Sequence, residues 1–136
     1  MSKRLFALLV HDRLEPFESL KTILRDLYVE TYSVQTCREA EDLIIQCRPD
    51  LIFTEYLLPD GSWVHILSSA EKSSVPPNVI VVGTLADISA YSSARERGAF
   101  DFVVPPFERE PLNSLVRSAE LDSRRRREAT VLAALD

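Results

Sequence analysis

Glu55 closes the apolar run Leu51–Glu55 and is followed by a Pro59-Asp60-Gly61 turn. A carboxylate at the carboxyl end of a buried strand stands where α/β folds place their chemistry. It could serve as a nucleophile or a metal ligand, and both roles need partners: further oxygen ligands, a hydroxyl and a cation. Three other apolar runs end near candidates for those roles. His11 and Asp12 follow Leu5–Val10, Gly83 and Thr84 close the run from Asn78, and Pro105 follows Phe100–Val104. Other chemistries lack their residues. With only Gly61, Gly83 and Gly98 there is no glycine-rich phosphate loop. His11 and His65 are the only histidines, and neither pairs with a nucleophile. His65, beside Val64, Ile66 and Leu67, reads as a solvated surface residue. Cys37 and Cys47 fall on different faces of one helix, in neither redox nor zinc spacing, and read as reduced thiols.

The elements that must position these groups alternate five times. "LFALLV" (5–10) is apolar throughout, as a strand covered on both faces should be. In "EPFESLKTILRDL" (15–27), Phe17, Leu20, Ile23, Leu24 and Leu27 recur at helical spacing, with Pro16 in the first turn. "ETYSVQ" (30–35) alternates as a strand does. Thr36 and Glu39 predict a capping box for the helix "CREAEDLIIQC". Strand "DLIFTE" (50–55) precedes helix "SWVHILSSAEK" (62–72), and strand "NVIVVG" (78–83) precedes a helix capped by Asp87 and stopped by Gly98. "FDFVV" (100–104) is the fifth strand, and the last helix begins near Glu108 with Pro111 in its first turn. Such alternation implies right-handed crossovers and a parallel sheet with helices on both faces.

The totals agree with one domain: 136 residues, 46% hydrophobic and 27% charged. The start "MSKRLFALLVHDR" is basic and then apolar, but its apolar run is short and no small-residue cleavage site follows, so it reads as a strand. No apolar run approaches the ~20 residues of a membrane span. A net charge of −5 argues against a nucleic-acid face, and the basic character is confined to Arg124–Arg127.

Over residues 4–121 the chain resembles the response-regulator receiver domain of two-component signalling. "LLVHDRLEPFESL" is similar to the strand that normally ends in an acidic pair. "RPDLIFTEYLLPDGSWVHIL" is similar to the phosphoacceptor strand and its turn. "NVIVVGTLAD" and "ARERGAFDFVVPPFEREPL" are similar to the fourth and fifth strands with their flanks. The resemblance implies a flavodoxin-like, doubly wound, five-stranded parallel sheet of order 2-1-3-4-5. It places the acidic pair on His11 and Asp12, the phosphoacceptor on Glu55, the hydroxyl on Gly83 with Thr84 one place late, the lysine on Pro105 and the switch aromatic on Phe102. It also makes Pro105–Pro106 the family's cis bond, and sets Trp63 near the pocket mouth as a lid, an exposed contact or a partly buried core residue.

Each departure weakens phosphoryl transfer, which needs Mg²⁺ bridging oxygens and positive donors on the developing charge. An imidazole at His11 prefers softer metals, which leaves Asp12 and Glu55 as the candidate metal ligands. The extra methylene of Glu55 shifts its oxygen by about 1 Å, a displacement that can cost ~10²-fold. Loss of one cationic donor, as at Pro105, typically costs ~10²–10³-fold. Gly83 has no hydroxyl.

The reading is a non-enzymatic, non-phosphorylatable receiver module that acts by protein–protein contact in the cytoplasm without a cofactor. The alternatives are a working phosphoacceptor receiver in a phosphorelay, and a small-ligand or metal-binding domain reusing the vacated pocket. Glu55 is then a permanent charge standing for a phosphorylated aspartate, a solvated relic, or part of an altered ion site with Asp12 and His11. Residues 122–136 form a basic helical extension or linker, whose four arginines read as a solvated face. The expected partner is a signalling kinase, an output domain or a regulator, with no nucleic acid and no membrane. A weak homodimer is expected on the face of the fourth helix, fifth strand and fifth helix, or along the tail.

Overall fold

A computed structural model of the protein describes residues 4–135. Five parallel strands form one sheet: β1 (Phe6–Val10), β2 (Glu30–Val34), β3 (Leu51–Glu55), β6 (Asn78–Val82) and β7 (Asp101–Val103). Their spatial order is β2-β1-β3-β6-β7, which is 2-1-3-4-5 when the sheet strands alone are counted. The short strands β4 (Leu57–Leu58) and β5 (Gly61–Ser62) close a separate hairpin after β3.

Successive strand residues point to opposite faces, and both faces are covered. Leu8, Val10, Ile52, Val79 and Val81 pack against α2 (Cys37–Cys47), α3 (Trp63–Glu71) and α4 (Tyr91–Arg97). Ala7, Leu9, Phe53, Ile80 and Val82 pack against α1 (Phe17–Asp26) and α5 (Arg109–Ala134). This double coverage is why β1, β3 and β6 read as apolar runs, whereas the edge strand β2 alternates.

The helix ends differ in detail from the local signals. Thr36 Oγ1 accepts from the Glu39 N–H (3.1 Å), but the Glu39 carboxylate takes the Thr36 hydroxyl instead of its N–H. The expected reciprocal box is therefore half formed. Asp60, from the β4–β5 turn, accepts from the Cys37 and Arg38 N–H groups at 2.7 and 3.1 Å and completes the end of α2. Asp87 is not the N-cap of the next helix. Thr84 holds that place and donates its N–H and hydroxyl to Asp87 Oδ2, both at 3.0 Å, opening a 3-10 helix (Leu85–Ala90) before α4. Gly98 ends α4 at φ 111°, in the left-handed region that favours glycine. The Pro105–Pro106 bond is cis, as is Glu15–Pro16. α5 starts after Glu108 and runs unbroken through position 121, so the boundary drawn at 121/122 falls inside one helix.

Candidate functional site

The parallel registers set Val10 beside Thr54, Glu55 beside Val82, and Val82 beside Val103. The ends of β1, β3, β6 and β7 thus share one edge of the sheet. A cleft of about 230 Å³ opens there, lined by Arg13, Glu15, Glu55, Tyr56, Thr84 and Asp87 among others.

Glu55 is half-buried, and its Oε1 accepts from the backbone N–H groups of Asp12 (2.5 Å) and Arg13 (3.0 Å). Glu55 therefore does not fit the expectation of a relic paired with nothing, because its carboxylate ties the end of β3 to the β1–α1 loop. Carboxylate bonds to N–H groups are the stronger, charge-assisted kind.

His11 does not face Glu55 through either nitrogen. The ring is buried and stacks on Phe17, with centroids 4.2 Å apart and planes 3° from parallel. Nδ1 lies 2.6 Å from the Arg13 carbonyl and donates to it, and Nε2 is hydrogen-bonded to Ser33 Oγ at 3.0 Å. The site with Glu55, Asp12 and His11 as joint ligands does not assemble. Among the described residues no group of three or more His, Cys, Asp or Glu side chains is arranged to hold a metal ion.

Gly83 and Phe102 interlock. A Cβ at position 83 would lie 2.4 Å from Phe102 Cζ, so the ring occupies the space that a side chain there would need. Phe102 is buried and meets Tyr56 and Tyr91 edge-on, at 6.4 and 6.3 Å. The Thr84 hydroxyl is committed to Asp87. Pro105 is half-buried and does not line the cleft, whose cationic lining residue is Arg13. Trp63 is neither lid nor exposed anchor. It is 5% exposed, part of the core with Ile66 and Leu67, and its backbone N–H donates to the Tyr56 carbonyl. His65 is exposed as expected, and its Nδ1 also accepts from the Ser62 N–H at 3.3 Å.

Beside this edge, burial and the nearby Asp60 carboxylate push the Cys37 thiol up to about 11. The Cys37 N–H holds the Asp60 carboxyl below its ordinary range. Cys37 is buried and Cys47 exposed, and both are free thiols.

A second polar cluster lies at the opposite edge, where β6 begins. The buried Asn78 amide donates to the Ala119 carbonyl (2.9 Å), Asp122 Oδ2 (3.1 Å) and Ser123 Oγ (3.3 Å). Its oxygen accepts from Arg126, which also donates to the Pro76 carbonyl and to Asp122. Arg126 thus departs from the expected solvated arginine face. Two signals pointed here: an amide opening an otherwise apolar strand, and the spacing Leu112, Val116, Ala119, Ser123, Arg126, which continues one helix face. A wide groove of about 790 Å³ adjoins this cluster, but its arginines, Arg95 and Arg126, are already paired with Asp101 (3.7 Å) and Asp122 (3.0 Å).

Sheet order, site edge and helix placement meet known proteins at this point. Residues 7–117 match the model of the response regulator receiver domain. The chain belongs to that family. The receiver domain is 28% identical over 113 residues to the response regulator protein PilR of Pseudomonas aeruginosa, covering 83% of this chain and 25% of PilR. It is 31% identical over 113 residues to the nitrogen assimilation regulatory protein NtrX of Azorhizobium caulinodans, covering 78% of this chain and 24% of NtrX. The chain therefore spans about a quarter of the length of these curated relatives. Among solved structures, NtrX from Brucella abortus aligns with a TM-score of 0.79 at 27% identity, over 93% of this chain and 29% of that one. The signal receiver domain of a LuxO repressor protein from Vibrio parahaemolyticus shares the fold, with a TM-score of 0.81 at 24% identity over 93% and 98% of the two chains. This is a receiver domain of two-component signalling. Among the described residues, no helix is long and apolar enough to cross a membrane.

Proposed function

We propose that this receiver domain signals without being phosphorylated, as a non-enzymatic cytoplasmic module that works by contact with a protein partner such as a kinase, an output domain or a regulator. The observation that carries this reading is the bonding of Glu55. Its Oε1 already accepts two backbone N–H groups, so the carboxylate acts as a fixed anion that braces the β1–α1 loop. Phosphoryl transfer would also need an ion bridging carboxylate and phosphoryl oxygens, and a cation and a hydroxyl on the transferred group. Both His11 nitrogens are bonded within the protein, so Asp12 has no second acid beside it at the end of β1. On this reading the domain works without a cofactor. Gly83 and Pro105 offer neither hydroxyl nor ammonium, and the interlock of Gly83 with Phe102 supports one fixed packing of the aromatic.

Incubation with Mg²⁺ and a small phosphodonor, followed by intact mass, tests the proposal. The expected result is an unchanged mass. A gain of one phosphoryl group mapped to Glu55 would overturn it in favour of a working phosphoacceptor. The Glu55→Asp variant is expected to stay unmodified as well, because the hydroxyl, the cation and the first acid remain missing.

A further inference from the structure

We infer that the outer face of α5 joins two copies of this chain as an antiparallel helix pair. Ser118, Leu121, Arg125, Glu128, Leu132 and Leu135 recur at alternating spacings of three and four, the seam spacing of paired helices. All six are exposed, with Leu121, Leu132 and Leu135 at 44, 65 and 76%. The inward face of the same helix, Leu112 to Arg126, is spent on the sheet and on Asn78, so the two stripes do not compete. Arg125 and Glu128 make no ion pair or side-chain hydrogen bond among the described residues.

The charges in the middle of the seam choose the occupant and its direction. In a parallel pair each residue meets its own copy, which sets Arg125 on Arg125 and Glu128 on Glu128. An antiparallel pair centred between Arg126 and Arg127 sets Leu121 on Leu132, Arg125 on Glu128 and Ser118 on Leu135, each twice by the two-fold axis. Every seam position then meets another seam position, with like charges separated and opposite charges joined. The seam spans about 26 Å of helix. That is a small contact, of the kind found in weak, concentration-dependent association.

Light scattering over a concentration series of the intact chain under reducing conditions tests this. The expected result is a mass rising from monomer toward dimer at high micromolar protein. Leu132→Asp changes a side chain already in solvent, so it leaves the fold intact and weakens association by about tenfold or more. Arg125→Glu and Glu128→Arg each set like charges across the axis and weaken association by about three- to tenfold. The double variant carrying both restores the pairing in the opposite sense and returns within about twofold of the native chain. A constant monomer mass overturns the inference. So does a dimer indifferent to Leu132→Asp, which places the contact on the α4–β7–α5 face, or single charge variants that do not weaken a dimer, which is the parallel outcome. Failure of the double variant to recover is equally decisive against it.

Discussion

The two edges of the sheet treat polar groups in opposite ways. At the carboxyl edge, Gly83 and Pro105 carry neither hydroxyl nor ammonium, an aromatic ring fills the space above Gly83, and the Glu55 carboxylate is bonded to backbone. At the opposite edge, Asn78, Asp122, Ser123 and Arg126 form a polar network with every member bonded. The difference shows that neither edge is left with an idle buried polar group. One edge does this by packing the space and bonding its carboxylate to backbone, the other by supplying a partner to each polar group. The bonded edge ties α5 to the start of β6.

The comparison breaks most sharply at Gly83. Gly83→Thr forces the Phe102 ring out of its place, and overpacking of this kind costs about 2–3 kcal/mol. Denaturant unfolding should show that loss, and combining it with Phe102→Ala should recover part of it, since neighbours that clash are not additive. If Gly83→Thr is as stable as the native chain, the interlock is not real. Next in size is Asn78→Ala, which leaves the Ala119 carbonyl and the Asp122 and Arg126 charges short of a partner and should cost about 1–3 kcal/mol. Its distinguishing mark is local: amide exchange should accelerate across residues 119–130 while the carboxyl edge stays protected. Glu55→Ala removes two charge-assisted bonds and should cost about 1–2 kcal/mol, with Glu55→Gln, which still accepts, costing less than half of that. Equal stability of all three proteins would return Glu55 to the status of an idle charge.

The smallest effect concerns the thiols and their pH range. A thiol raised to about 11 from an ordinary 9.0 favours the folded state fully below pH 9 and loses that contribution as pH rises through 11. At pH 8 a thiol reagent should modify Cys47 rapidly and Cys37 only after unfolding, so one group per native chain reacts and two react in denaturant. Asp60 behaves with the opposite sign: its carboxyl lies below the ordinary 3.8, so its contribution holds above that range and is lost as pH falls through the lowered value. Rapid modification of both thiols in the native chain would show that the contact of Asp60 with the start of α2 does not shield Cys37.

Local signals read well wherever the cause was local. Four apolar runs and one alternating segment marked the five strands, and Gly98 marked the stop of α4, because a left-handed residue ends a helix wherever it sits. Thr36 gave the start of α2 for the same reason, although Glu39 did not complete the expected box. The misreadings share a different cause. Trp63 was open to three readings until the packing of α3 on the sheet buried it. Asp87 had the right neighbourhood but not the right position, since Thr84 three residues earlier could offer both its N–H and its hydroxyl.

The sequence by itself determined the order of the main helices and strands, the membership of the sheet, and a glycine at 83 and a proline at 105, because composition and period act within a few residues. Tertiary structure alone decided what the polar groups do. Glu55 finds its partners 43 and 42 residues away, His11 turns to Ser33, and Arg126 reaches Asn78 across 48 positions. A hydrophobic residue is buried by the face it belongs to, which periodicity reveals, but a hydrogen bond needs one partner at one distance, and only the folded chain brings it there.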